Sequence, residues 1–265
     1  MSAAPSAETE RDRVFTRLVD AEGARLLAFG RRFCGDGSDA EDLVQETFAH
    51  AYRAFDQLAD PRQARAWLYT IARRACQRMH RKRAGEPARL ETLAELEPHA
   101  GETVPRLPGA AGDPHATRLR AEARERVERA VSALPDPFRQ TLVLADIAEL
   151  SLAEIAAVLG LKEATVKTRL HRARLKLRQV LAEELPQRPE PRPEHARRVC
   201  LDLLHAKLEA MDRRVPFPYS DAALCERCRN LLGTLDLASD SCRALGAGTF
   251  PSGLRRKVLA AARKG

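Results

Sequence analysis

The sequence has few aromatic residues and little methionine, with one Trp and three Met among 265 residues. It also lacks long apolar runs. None approaches the roughly 18 residues that a membrane-spanning helix needs, so we expect no membrane span. The segment from Met1 to Arg13 is small and polar, without the apolar core of a secretory signal peptide. We therefore expect a cytoplasmic protein, whose thiols stay reduced.

Residue patterns of catalysis are missing as well. The sequence shows no Ser-His-Asp arrangement, no paired carboxylates and no phosphate-binding loop, so we expect no enzyme. Basic residues are in excess instead, with 45 Lys and Arg against 37 Asp and Glu and a formal net charge of +8. Such a balance suits a polyanionic partner.

Nearly every periodic segment has helical spacing, and no convincing alternating strand is present. The sequence therefore predicts an all-α fold of three small helical units joined by two proline-rich connectors. The predicted boundaries are a flexible tail over 1–12, a helical unit over 13–85, an acidic Pro/Gly linker over 86–116, a second helical unit over 117–185, a Pro-rich spacer over 186–198 and a cysteine-rich unit over 199–265.

The segment from Ser151 to Arg178 has the pattern of a helix-turn-helix. Ser151 and Glu154 have the spacing of a capping box that opens a short helix. Gly160 supplies the turn, and a second helix from Glu163 carries apolar residues on one stripe and Arg, Lys and Thr opposite. A basic second helix of this kind fits the major groove of DNA. The alternative interpretation is a solvated basic helix on a bundle.

Two helices of the first unit carry contrasting charge. Ser38 and Glu41 predict a capping box before a helix with an acidic exposed edge, which we call the acidic edge: Asp39, Asp42, Gln45 and Glu46. Taken alone, it is ordinary solvated surface. The helix from Arg65 to Arg83 holds no acidic residue and seven Arg or Lys, so its polar face favours phosphates nearby. Tyr69, at the margin of that face, is a candidate for stacking on an unpaired base, or a simple surface tyrosine.

These segments together resemble the extracytoplasmic-function (ECF) sigma factors of bacterial RNA polymerase. The resemblance covers about residues 14 to 183 and rests on several motifs in the same order. They are the stretches Asp39 to Phe48, Ala66 to Arg73, Leu134 to Arg139, Glu154 to Ala156 and Thr165 to Arg174.

The resemblance implies a division of labour among these surfaces. The acidic edge would bind the β′ clamp helices of core polymerase, the β flap would be a further contact of the chain, and the acidic linker would thread the RNA channel. The −10 promoter element would be bound by the loop Asp56 to Gln63 and by Tyr69, Arg73, Arg74, Gln77 and Arg81. The −35 element would be read by Lys162, Glu163, Thr165, Lys167, Thr168, Arg169 and Arg172. Lys162 stands where the family usually places a capping Ser.

Four of the six cysteines lie in the last quarter of the chain: Cys200, Cys225, Cys228 and Cys242. The CxxC spacing lets two thiolates bind one ion. The segment also resembles, more loosely, the zinc-binding domain of anti-sigma factors and the cysteine-rich tail of CorE-type sigma factors, which implies sensing of copper, zinc or cadmium. The anti-sigma histidine is replaced by Asp221, so Cys242 would supply a further ligand, with His205 and Asp221 as weaker candidates. Cys34 and Cys76 are interpreted as packing residues.

Several alternatives stay open. The cysteines could form a purely structural zinc site, buried apolar thiols, or a redox switch in which Cys225 and Cys228 form a disulfide. The chain could also be a free-standing helix-turn-helix regulator, although such a protein needs neither the acidic edge nor the basic helix. The sequence predicts a sigma factor regulated by metal, and leaves open a separate anti-sigma partner.

Overall fold

The computed structural model describes residues 7–33, 39–58, 60–79, 92–97, 103–105, 107, 114–189, 191–192 and 194–262. Helices dominate these ranges, which confirms the predicted all-α fold. The α-helices are α1 (Ala7–Phe33), α2 (Ala40–Arg53), α3 (Ala64–Met79), α4 (Leu93–Leu96), α5 (Pro114–Ala133), α6 (Asp136–Leu142), α7 (Leu152–Leu159), α8 (Glu163–Glu184), α9 (Arg197–Arg213), α10 (Glu226–Gly246) and α11 (Ser252–Ala262). A π-helical turn, Val143–Ile147, follows α6. Within the described ranges, no helix is long and apolar enough to cross a membrane.

The scarce aromatic side chains are concentrated where α1, α2 and α3 meet. Phe15 of α1 packs edge-on against Phe48 and Tyr52 of α2, with ring centroids 6.1 and 5.0 Å apart. Phe29 is fully buried in the same core. Large aromatic surfaces contribute much of the burial energy in a small core, so this cluster fixes how the three helices cross.

The helix-turn-helix forms as the sequence predicts. Ser151 Oγ accepts a hydrogen bond from the Glu154 N–H at 3.3 Å, and Glu154 Oε2 accepts one from the Ser151 N–H at 2.7 Å. Gly160 ends α7 in the left-handed conformation, with φ of 69°. Helix α8 begins at Glu163, and Lys162 at its N-cap makes no side-chain capping bond. The local signals were therefore sufficient to specify this motif.

Replacement of Gly160 by alanine tests how far the turn depends on that conformation. A Cβ atom at this position would meet no atom within 4 Å, so packing is not disturbed. A left-handed conformation costs an L-residue about 1–2 kcal/mol, and we expect a loss of that size in the free energy of unfolding. Urea denaturation monitored by circular dichroism measures it. An unchanged midpoint would contradict this explanation of the turn.

Two expectations about local structure were wrong, and both concern the connectors. The capping box predicted at Ser38 and Glu41 cannot be compared, because Ser38 lies outside the described residues; the N-cap residue of α2 is Asp39. The linker holds α4, opened by a capping box of Thr92 and Glu95. It also holds β1 (Thr103–Pro105), which pairs antiparallel with β2 (Gln187–Pro189) of the spacer. Both strands come from extended proline-containing chain, whose short runs gave no alternation to detect.

The C-terminal segment, defined as α9 to α11, does not stand apart as a third unit. Helix α10 packs against α5, α8 and the π-helical turn, while α11 packs against α2. Leu245 and Val258 are buried in the same apolar core as Phe15 and Phe138. The C-terminal segment therefore joins both helical units, where the sequence suggested a separate body behind a spacer.

Candidate nucleic-acid interface and thiol cluster

The N-terminal half of α8 presents the residues predicted to read DNA. Lys162, Glu163 and Thr168 are exposed, while Thr165, Lys167, Arg169 and Arg172 are half-buried. The predicted apolar stripe is buried, as shown by Val166, Leu170, Ala173 and Leu177. The first turns of α8 therefore point polar side chains outward at the end of the helix that would enter a groove.

One flank of α8 is covered by α9. Lys167 forms an ion pair with Glu209, and His171 Nε2 lies 2.8 Å from Asp212 Oδ2. Arg174 Nη1 donates to Asp212 Oδ1 at 2.7 Å. Lys167, His171 and Arg174 of α8 are thus all paired with the carboxylates of Glu209 and Asp212 of α9.

Arg174 is the centre of a buried ionic network. Its Nε and Nη2 donate to the two carboxylate oxygens of Asp146 at 3.0 and 2.8 Å, in a bidentate pair. Its side chain is 6% exposed and that of Asp212 is 2% exposed. Burial alone would lower the pKa of Arg174, but the carboxylates of Asp146 and Asp212 raise it above its ordinary value. The guanidinium is therefore charged, and its neighbours depend on that charge.

Helix α3 lies against α7, so the two predicted DNA-reading surfaces are adjacent. Arg73 Nη1 donates to the carbonyl oxygen of Val158 at 3.3 Å, and burial lowers the pKa of Arg73, with a smaller effect from Arg74. Arg65 Nη2 donates to the Ala148 carbonyl oxygen at 2.6 Å. Arg74 and Gln77 are exposed, and Arg81 lies outside the described residues.

Tyr69 is not at the margin of the basic face, as the sequence suggested. Its side chain is fully buried, with its ring edge-on to Phe29 at 5.3 Å and its hydroxyl donating to Glu22 Oε2 at 3.4 Å. Burial and the Glu22 carboxylate raise the pKa of Tyr69 well above its usual value. In this conformation it cannot stack on a base. Helix α1 covers a wider arc of α3 than periodicity alone indicated.

The acidic edge on α2 remains accessible. Asp42 and Glu46 are exposed, and Asp39 and Gln45 are half-buried. Glu46 Oε1 lies 2.5 Å from Arg78 Nη2 of α3 at the surface. Helix α11 packs on α2 without removing Asp42 or Glu46 from solvent.

Three of the four clustered cysteines come together, and we call them the thiol cluster: Cys200, Cys225 and Cys228. Their sulfur atoms all lie within 4.8 Å of one another, with Cys200 and Cys228 Sγ 3.3 Å apart. Cys200 lies in the first turn of α9, and Cys225 is the N-cap of α10. Two helix starts therefore position the three sulfur atoms.

The thiols of the cluster differ in acidity. Burial alone would raise the pKa of Cys225, but backbone N–H groups of Cys228, Glu194 and Arg227 lower it below its usual value. Burial and the neighbouring sulfurs of Cys200 and Cys225 raise the pKa of Cys228. Cys225 is thus the more acidic of these two thiols. Three soft sulfur donors at this spacing fit a thiophilic ion such as Cu(I), Zn(II) or Cd(II).

The other predicted ligands do not join the thiol cluster. Cys242 lies 14 residues after Cys228 on the same helix, about 21 Å further along its axis. It is fully buried, and burial and the Asp146 charge raise its pKa. His205 faces Glu97 at 3.7 Å, and Asp221 is exposed. The Glu194 backbone N–H donates to Cys225, so the chain just before α9 also contacts the thiol cluster.

Cys76 of α3 is disulfide-bonded, whereas Cys200, Cys225, Cys228 and Cys242 are free. Cys76 is buried in the apolar core, as expected of a packing residue, but the sequence analysis did not predict its disulfide. Cys34, grouped with it in the sequence analysis, lies outside the described residues. The free thiols of the C-terminal segment are available for a metal ion.

Sequence profiles of two families match this chain: Sigma-70 region 2 over residues 18–86 and Sigma-70, region 4 over residues 124–177. The first profile covers most of α1 to α3, and the second covers α7 and much of α8. This chain matches two relatives over most of their length. SigW of Bacillus subtilis is 32% identical, and the match covers 63% of this chain and 88% of SigW. CnrH of Cupriavidus metallidurans is 33% identical, and the match covers 67% of this chain and 92% of CnrH. The chain belongs to the ECF sigma factors.

Two further matches are a curated relative and a solved structure. SigE of Mycolicibacterium smegmatis is 36% identical over 62% of this chain, which spans 60% of the length of SigE. A solved structure of CnrH in complex with the cytosolic domain of CnrY is 30% identical, with a TM-score of 0.43, and covers 64% of this chain and 88% of that one. ECF sigma factors act in transcription initiation, with core RNA polymerase and promoter DNA as partners.

Proposed function

We propose that this ECF sigma factor directs core polymerase to its promoters through three surfaces and that a metal ion bound in its C-terminal segment regulates it. The acidic edge binds the β′ clamp helices, with Asp42 and Glu46 as the accessible carboxylates. Helix α3 engages the −10 element through Arg73, Arg74, Gln77 and Arg81. The start of α8 reads the −35 element, where Arg169 and Arg172 reach phosphates or base edges.

The observation that carries the proposal of metal regulation is the position of the thiol cluster. Cys200, Cys225 and Cys228 share one apolar cluster with Leu175 of α8 and Leu96 of the linker. A metal ion that draws the three sulfurs together would therefore act on the packing between the C-terminal segment and the recognition helix. A purely structural zinc site would use the same residues, but the amount of transcript would then not depend on the metal.

Run-off transcription with purified core polymerase tests both parts of this proposal. Under reducing, anaerobic conditions, we expect a promoter-specific transcript whose amount depends on Zn(II), Cd(II) or Cu(I). Templates are selected by the factor and core polymerase from a pool of random duplexes. If no template yields a specific start site, with or without metal, the proposed sigma activity is wrong. Retention on immobilised core polymerase separates this result from a free-standing helix-turn-helix regulator, which would bind DNA alone.

The thiol cluster itself can be tested by metal binding. We expect the wild-type chain to bind one Cd(II) per molecule, seen as thiolate-to-metal absorption, and the double variant C225S/C228S to lose this signal. Cys242→Ala is the control, because it removes a buried thiol far from the cluster. Retained binding in the double variant would overturn the assignment. Formation of a disulfide without metal dependence would favour the redox alternative.

A further inference from the structure

The two helical units that carry the proposed −10 and −35 residues are packed against each other in this conformation. The −10 helix α3 packs directly against α7, the first helix of the helix-turn-helix. Promoter elements near −35 and −10 are about 25 base pairs apart, or about 85 Å of duplex at 3.4 Å per base pair. Regions 2 and 4 must therefore separate before both elements can be read, and the contacts that hold them closed oppose binding.

Helix α9 contributes the acidic side chains that pair with basic side chains of α8. Glu209 and Asp212 are three residues apart, so they lie on one face of α9. They pair with Lys167, His171 and Arg174, which are spaced along one flank of α8. Two carboxylates against a row of basic side chains reproduce the charge pattern that two DNA phosphates would offer.

The space beside α8 is also occupied. An α-helix with its side chains is about 10–12 Å across, and the major groove is about 12 Å wide. A groove that accepts α8 therefore has no room for a second helix along its flank. Arg214 anchors α9 further, because its Nη2 donates to the carbonyl oxygen of Leu150 just before the helix-turn-helix, at 3.0 Å.

We propose that the acidic face of α9 substitutes for DNA on the flank of the recognition helix, so that the C-terminal segment and promoter DNA compete for region 4. Glu209 and Asp212 occupy the position of the phosphate backbone, and DNA binding requires that α9 leave α8. This inference rests on the proposed function, since it assumes that α8 reads DNA. It also names the residues of α9 that keep the C-terminal segment on the recognition helix.

The experiment compares the full-length protein with E209Q/D212N, which keeps the size of both side chains but removes their charge. The probe is a pool of 40-base-pair duplexes of random sequence, and fluorescence anisotropy at fixed salt measures affinity. We expect about tenfold tighter binding or more, because affinity is reduced by the fraction of molecules that are closed. Asp202→Asn is the matched control: Asp202 is an exposed acid on the same helix, and this variant should bind as the wild type does.

Hydrogen exchange on the wild type provides a test without substitutions. Saturating duplex should increase exchange in residues 197–213 while protecting the start of α8. Protection of α8 with unchanged exchange in α9 would overturn the proposal, as would equal affinities of E209Q/D212N and wild type with helicity preserved. A failure of the proposed function looks different, since neither protein would then direct core polymerase to any start site.

Discussion

Gly246→Ala is expected to force the end of α10 away from region 4. A Cβ atom at this position would fall well inside contact distance of the Ile147 carbonyl oxygen, and 3.1 Å from the carbonyl carbon. Both atoms belong to backbone in the π-helical turn, so no side-chain rotation relieves the clash. Overpacking of this kind costs about 1–3 kcal/mol. We expect a loss of that size in the free energy of unfolding, measured by urea denaturation.

The control for this substitution is Gly253→Ala in α11. A Cβ atom there meets no atom within 4 Å, so alanine should be neutral or stabilise the helix by up to about 1 kcal/mol. Because the clash lies between the C-terminal segment and region 4, Gly246→Ala should also tighten binding to duplex DNA. A stability loss with no change in DNA affinity would mean that the contact of α10 does not contribute to closure.

Arg174→Met is expected to give the largest loss of stability. The substitution leaves the carboxylates of Asp146 and Asp212 buried without their shared cation. Removing one partner from a buried ion pair costs about 3–5 kcal/mol, because the remaining charge is uncompensated. Thermal and urea denaturation of the full-length chain measure this loss.

Arg118→Met on α5 is the matched control. Its guanidinium lies 3.0 Å from Glu122 at the surface and its side chain is 80% exposed. Exposed pairs contribute about 0–1 kcal/mol, so we expect little change. Comparable losses in the two variants would show that solvent reaches the network around Arg174, contrary to its burial in the structure.

The parts of the fold that the sequence predicted correctly depend on local signals. The capping box at Ser151, the left-handed turn at Gly160 and the apolar stripe of α8 lie within about thirty residues of one another. Each signal reports on its own backbone, so no distant contact can change its meaning. The helix-turn-helix and the region 2 helices could therefore be located from residue patterns alone.

The incorrect predictions concern residues whose burial or partners are determined by contacts with distant parts of the chain. The helical pattern placed Tyr69 at the edge of the apolar stripe of α3. The pattern does not indicate how much of α3 a neighbouring helix covers, and α1 in fact buries Tyr69. Cys242 was grouped with the other thiols on residue type alone, although the length of α10 carries it into a different core. The pairing of Asp212 with Arg174 has no sequence signature, since 38 positions separate the two residues.

The strand pair β1–β2 gives the chain an unusual topology. Because Thr103–Pro105 is hydrogen-bonded to Gln187–Pro189, the whole of region 4 forms a closed loop that leaves and re-enters the molecule at one short ladder. While the ladder holds, both ends of region 4 are tethered at the same point. Region 4 can therefore move only as one closed loop until the backbone bonds between Thr103–Pro105 and Gln187–Pro189 break.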